Sequence, residues 1–333
     1  MKARQLANTV LSVSLLFSCE RLLIPAGEVT VFEGRVADPD QLLISTRDVD
    51  LFWEAYDMAP QATDQTAHWQ RNYIDKASPT VQSTLSSGKI TAAIMAKATI
   101  STYRQFFPSV RTLTTGMVRQ QEGAIRQGLR TLKQLYPDAT FPAIYFGMGL
   151  FNNGGKSLPS GIYIGTEYYT AAPTTITTEL TAYSRGILFN SSQLPAIVAH
   201  EMVHQQQRYG IAGGNTLLAA AIAEGSADFL AKLATGAIAT GTATYTFGEA
   251  NERAVWQAFS QEMDGTNWRN WLYNGNAGNT YNYPADMGYF VGYRICEAYY
   301  NRATNKTQAL RDMLQTTDYK AFLTKSGYPE LWK

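Results

Sequence analysis

Ala196–Arg208, AIVAHEMVHQQQR, places His200 and His204 four residues apart with Glu201 between them. The whole chain has three histidines, and two of them fall in this one H-E-x-x-H pattern. With such a composition the pattern arises by accident on the order of once in a thousand chains. Ser191 and Ser192 offer N-caps and Pro195 suits a first turn, so the segment is expected to be a helix. On a helix, positions i and i+4 lie about 40° apart on one face. Both imidazoles can therefore point at a common metal ion. Ile197, Val198 and Val203 are left to pack against the body of the domain.

Past the motif the chain breaks at Gly210 and Gly213-Gly214-Asn215. A second helix is expected over Thr216–Thr235, TLLAAAIAEGSADFLAKLAT. Its Ala/Leu face reads as buried, yet it carries Glu224 and Asp228. An ionised side chain in so apolar a run is costly unless it is paired or bound to a metal. Glu224 lies 20 residues beyond His204, and Asp228 stands one helical turn further on.

H-E-x-x-H followed by E-x-x-x-D on a helix resembles the gluzincin arrangement of thermolysin-like peptidases. Residue by residue, the resemblance implies His200, His204 and Glu224 as zinc ligands, Glu201 as general base and Asp228 as the group that orients the first histidine. It implies one Zn²⁺ per chain and a zincin-like α+β fold, mostly helical, with a small sheet beside the motif helix. Catalytic zinc of this kind takes three protein ligands and keeps a position for water. A ligating histidine also needs an acceptor on its other ring nitrogen.

A broader resemblance, from about Val49 to Gly327, is to predicted zinc-dependent proteases related to gliding-motility lipoproteins. It rests on Val49–Asp57 (VDLFWEAYD), Gly161–Gly165 (GIYIG), the two motif helices and Pro284–Tyr293 (PADMGYFVGY). The gliding-motility relatives generally lack the metal motif. The resemblance therefore implies two alternatives: an envelope peptidase, or a catalytically silent lipoprotein with a structural or assembly role.

The N-terminus bears on location. Met1–Cys19 has Lys2 and Arg4, then an apolar run from Val10 to Phe17, too short to span a bilayer. It reads as a signal peptide over residues 1–18. Leu16-Phe17-Ser18-Cys19 resembles a bacterial lipobox, which implies lipidation at Cys19, a membrane partner through that lipid and a place in the cell envelope, on the outer membrane or facing the periplasm. Residues 19–44 are expected to be anchor and tether, with a possible short strand at Val29–Val36. The domain itself is expected over 45–333. The other cysteine, Cys296, sits in an apolar pattern and reads as a packed thiol. With 28 basic and 27 acidic residues and no basic cluster, nothing favours a nucleic-acid partner.

Between tether and motif, helical spacing predicts helices from about Val49, over Gln65–Lys76, over Lys89–Phe106 with Pro108 as a stop, and over Leu113–Leu135. His68 falls on the second as a lone surface or half-buried residue. Strands are expected at Pro142–Gly147 and Gly161–Gly165, with a turn at Asn152–Ser157. Gly154-Gly155-Lys156-Ser157 is no phosphate loop, because the position that needs glycine is Leu150 and Gly149 is out of register. After Gly236 come helices near Glu249–Met263, Ala285–Arg302 and Thr307–Leu323. Asp264–Thr280 reads as a long surface loop of the kind that borders a cleft.

The leading expectation is hydrolysis of a peptide or protein substrate. Zinc lowers the pKa of its water toward ~7, and Glu201 takes the proton and later passes it to the leaving amine. Tyr281, Tyr283 and Tyr289 are open candidates for a second oxyanion donor. Gly161–Gly165, if at the sheet edge, would hold extended substrate.

Overall fold

The structure, a computed structural model, describes residues 34–208, 216–275 and 278–332. The expected signal peptide, Cys19 and nearly all of the possible strand at Val29–Val36 lie outside them. Val36 forms an isolated bridge with Phe141. Arg35 reaches Thr140 Oγ1 at 2.7 Å and Gln205 Oε1 at 3.1 Å. Arg35 and Val36 are thus already held against later parts of the chain.

The architecture is α+β, mostly helical with one small mixed sheet. Its first half runs β1 (Ile44–Ser45), α1 (Arg47–Met58), α2 (Gln65–Asn72), α3 (Pro79–Ser87), α4 (Ala92–Lys97), α5 (Phe106–Leu135), β2 (Ile144–Gly147), β3 (Gly155–Leu158) and β4 (Gly161–Gly165). Helices follow: α6 (Ala182–Gly186), α7 (Leu194–His204), α8 (Leu217–Thr235), α9 (Thr242–Glu262), α10 (Met287–Arg302), α11 (Lys306–Gln315) and α12 (Tyr319–Ser326). The sheet order is β1-β2-β4-β3. β1, β2 and β4 are parallel, in the register Ile44, Ile144, Ile162, and β3 returns antiparallel with Gly155 opposite Ile164.

Two expectations about the sheet are corrected. The segment read as a turn overlaps β3, and Lys156 within it is buried with its ammonium 2.9 Å from Ser87 Oγ. β4 is an inner strand buried along its whole length, so β3 and not Gly161–Gly165 lies at the edge, next to α7. The β2–β3 connection is held from within. Leu150 and Phe151 both take left-handed φ, 57° and 60°, while Glu167 Oε1 accepts from the N–H groups of Gly149 at 2.8 Å and Phe151 at 2.9 Å. Burial pushes the Glu167 carboxyl up to about 7.

The helices also differ from expectation at one proline. The segment expected as one helix over Lys89–Phe106 is α4 plus a short π turn, and the break comes at Tyr103 rather than at Pro108. Pro108 lies in the first turn of α5, where its missing N–H would have no partner within the helix. The Glu179 carboxylate takes the orphan N–H groups of Gln105 and Phe106 at 2.8 and 3.0 Å. α3, started by Pro79 and capped by Ser78, was not expected, and α9 begins earlier than Glu249.

α7 and α8 form the centre, with α5 against both and α10 against α8 and α9. α10 approaches α8 so closely that a methyl on Gly292 would overlap the Ala221 carbonyl, as the glycines of that helix suggest. An aromatic cluster of Phe52, Trp53, Tyr56, Trp69 and Phe107 fills the N-terminal side. His68 is buried there, bonded to the Ala55 carbonyl at 2.8 Å and to Asn72 Nδ2 at 3.0 Å, so it is a satisfied core residue rather than a surface one. Cys296 is a buried free thiol, which burial keeps protonated.

Candidate metal centre

α7 is apolar almost throughout, which sinks it into the core and buries its polar residues with it. His200, Glu201 and His204 are each about 5 % exposed or less, as is Glu224 on α8. The sequence motif and the second-helix carboxylates do come together. His200 Nε2 and His204 Nε2 lie 3.0 Å apart, and Glu224 Oε2 is 3.4 and 3.1 Å from them. Among the described residues this trio has the grouping of side chains that can hold a metal ion.

The hydrogen bonds behind the trio fix which atoms face inward. Asp228 Oδ1 takes His200 Nδ1 at 2.8 Å, while Asp228 Oδ2 accepts from Tyr245 at 2.7 Å and Thr240 at 2.5 Å. Asp228 therefore has only acceptor capacity left for His200, and Nδ1 carries the hydrogen. On the other side, Gln207 Nε2 donates to the Ala223 carbonyl at 2.7 Å and to Ser226 Oγ at 2.8 Å. That orientation turns Gln207 Oε1 to His204 Nδ1 at 2.9 Å, so this nitrogen is a donor too. Both Nε2 atoms then meet the Glu224 carboxylate at one point, where a proton or a metal ion can be shared with it.

Three such atoms so close repel one another unless a proton or a metal ion stands among them. Nitrogen and oxygen ligands of a tetrahedral zinc, each ~2.0–2.1 Å from it, are separated by about 3.4 Å. The observed 3.0–3.4 Å fits that donor set. The electrostatics favour positive charge at the same place. Burial opposes an ionised His200, but its bonds to Asp228 and Glu224 outweigh burial and lift it to about 10. Burial would likewise raise Glu224, yet the two imidazoles hold it well below the carboxylate range.

Glu201 stands beside the trio and is not part of it. Its Oε2 is buried without a hydrogen-bond partner, and its backbone carbonyl accepts from Ser157 Oγ of β3 at 2.7 Å. Burial raises its pKa, and the imidazoles of His204 and His200 pull it back. Gly155 of β3 sits so close that an added Cβ would lie 2.7 Å from Glu201 Oε1.

A cavity of about 280 Å³ opens over these groups, lined by His200, Glu201, His204 and Glu224 and walled by Ile187, Phe189, Ile197 and Ala239 among others. Of the three tyrosines expected as oxyanion donors, Tyr289 lines it, stacked on His200 at 6.1 Å between ring centroids. Tyr281 instead bonds Glu262 and stacks on Tyr283, and neither lines the cavity. Sequence reasoning missed Tyr273, whose hydroxyl donates to Glu224 Oε1 at 2.5 Å, and it missed Tyr245, Thr240 and Gln207. Tyr273 belongs to the stretch expected as a surface loop, which does border the cavity through Gly275 but buries Trp271, Leu272 and Asn274.

Fold and site together define a mostly helical α+β protein with a His-His-Glu cluster of metal-binding chemistry. The chain belongs to the family of gliding motility protein GldB, whose family model matches residues 40–330. No curated protein and no solved structure matches it. Membership indicates a bacterial lipoprotein of the cell envelope. No described helix is long and apolar enough to cross a membrane.

Proposed function

We propose that the chain is a zinc-dependent peptidase carried on a gliding-motility lipoprotein scaffold with a zincin-like arrangement of α7 and α8. The observation that carries this reading is the convergence of two Nε2 lone pairs and the Glu224 carboxylate beside an unpartnered carboxylate oxygen of Glu201. His200, His204 and Glu224 would hold the ion, and Asp228 and Gln207 keep the imidazoles in the tautomer it needs. A zinc ion held there supplies a water acidified to a pKa of ~7 and a Lewis acid for the scissile carbonyl.

Glu201 does the proton transfer: its free Oε2 takes a proton from the attacking water and delivers it to the leaving amine. Burial keeps its basicity above that of an exposed carboxylate, which suits both halves of that transfer. Cys19 would anchor the protein to the membrane through its lipid.

The family match favours a second reading, an assembly factor of the gliding machinery that keeps the cluster without turnover. Metal content and hydrolysis of a peptide library, measured on wild type and Glu201→Ala, separate the two. The peptidase reading expects about one zinc in both and cleavage by wild type alone. Zinc without cleavage supports the assembly role; wild type purified without zinc sinks the site.

A further inference from the structure

The stretch Pro284–Tyr293 stands out in the sequence without a role in the chemistry above. Its glycines bring the start of α10 against α8 and against Leu272, and so carry Asp286 and Tyr289 into the wall of the cavity. Asp286 is held there at a left-handed φ of 63°, a conformation that non-glycine residues adopt at a cost. A reciprocal pair fixes it: Asn274 N–H donates to Asp286 Oδ1 at 3.1 Å, and Asp286 N–H donates to Asn274 Oδ1 at 2.8 Å.

This carboxylate is neither a partner of the trio nor the base. The described residues that line the cavity include no lysine or arginine, and its walls are largely apolar. Backbone N–H groups of Asn274 and Tyr273 already reach this carboxylate, but the largely apolar walls still oppose its charge, and a cation brought to it offsets that cost. At about 280 Å³ the cavity is also at the small end of ligand sites, which run to about 300–1,000 Å³. One residue of a peptide fits within that volume, with the rest of the peptide outside.

We infer that the substrate presents a protonated amine in this cavity, beside the bond to be cut, and that Asp286 is its counter-charge. This rests on the peptidase reading. The amine is the free N-terminus of a peptide or the end of a basic side chain; either gives a charge-assisted N–H···O bond to the carboxylate.

The test uses the zinc-loaded full chain and two pairs of hydroxamates in titration calorimetry. Alanine hydroxamate against N-acetylalanine hydroxamate probes the N-terminal amine. Nα-acetyl-lysine hydroxamate against Nα-acetyl-norleucine hydroxamate probes a basic side chain. Wild type is expected to bind the charged member of one pair about 10–100-fold more tightly. Asp286→Asn should bring that ratio close to one, and Asp286→Glu should restore part of it.

Equal affinities within both pairs in wild type overturn the inference, as does a ratio that survives in Asp286→Asn. Should the Asn variant not fold, the wild-type ratios decide alone. Charge-selective binding without hydrolysis of any peptide leaves the amine site standing and removes the peptidase reading.

Discussion

Replacing Gly155 by alanine tests the contact on which the proposed chemistry turns. Gly155 does not take a left-handed φ, so alanine is compatible with the backbone of β3. The new Cβ would lie 2.7 Å from Glu201 Oε1, 2.9 Å from Cγ and 3.1 Å from Cδ. Ordinary contact begins at 3.4 Å, so the carboxylate must retreat by about 0.7 Å. The Glu201 side chain has to yield from Cγ outward while the backbone does not, so the loss of stability should stay near 1 kcal/mol, the low end for overpacking. The ligand atoms are not touched, so zinc content should equal that of wild type. Misplacing a reacting group by about 1 Å costs up to 10²-fold. We therefore expect kcat to fall roughly 10–100-fold in a continuous peptide-cleavage assay, with the urea midpoint little changed. A variant with wild-type kcat would refute the assignment of Glu201 as base. One that has lost its zinc would show instead that β3 supports the ligands.

Two further predictions concern groups away from the reacting atoms. Burial raises Glu167 to about 7 from an unfolded value near 4.5, so the folded state binds its proton more tightly. Its contribution is full below about pH 4.5 and is lost as pH rises through 7, an effect of about 3 kcal/mol. Glu167→Gln keeps an acceptor for Gly149 and Phe151, and should flatten this fall in urea titrations at pH 5 and pH 8; an unchanged slope would show that other groups cause it. Thr240→Val and Tyr245→Phe strip donors from Asp228 and should weaken zinc about 10-fold or more in chelator competition, with Thr240→Ser close to wild type. Unaltered zinc affinity in both would mean that Asp228 needs no support.

The trio was legible in the sequence because helical geometry ties residue spacing to direction. His200 and His204 share a face at any register of α7, and Glu224 and Asp228 stand out as the two carboxylates in a largely apolar α8. What supports them was not legible. Tyr245, Thr240 and Tyr273 reach the site through tertiary packing, and no local pattern marks one buried tyrosine from another. β3 was missed because Gly-Gly-Lys-Ser has turn composition. Its strand form depends on pairing with β4 and on the close approach of the Glu201 side chain, which favours glycine at 155. Pro108 misled for a similar reason: a proline marks a helix boundary without saying on which side the helix lies, and Glu179, far along the chain, settles it.

The two imidazoles are backed differently, by the carboxylate of Asp228 and by the neutral amide of Gln207. An anion behind a ring pushes electron density toward the far nitrogen, and an amide does so much less. Toward an ion held as proposed, His200 would therefore be the stronger donor of the pair and His204 the softer attachment, although both stand at similar distances from Glu224. Gln207 also ties His204 to the Ala223 carbonyl one residue before Glu224, so strain along α8 would be felt first at the weaker of two such bonds. An ion held here would leave, or make way for an incoming ligand, on the His204 side.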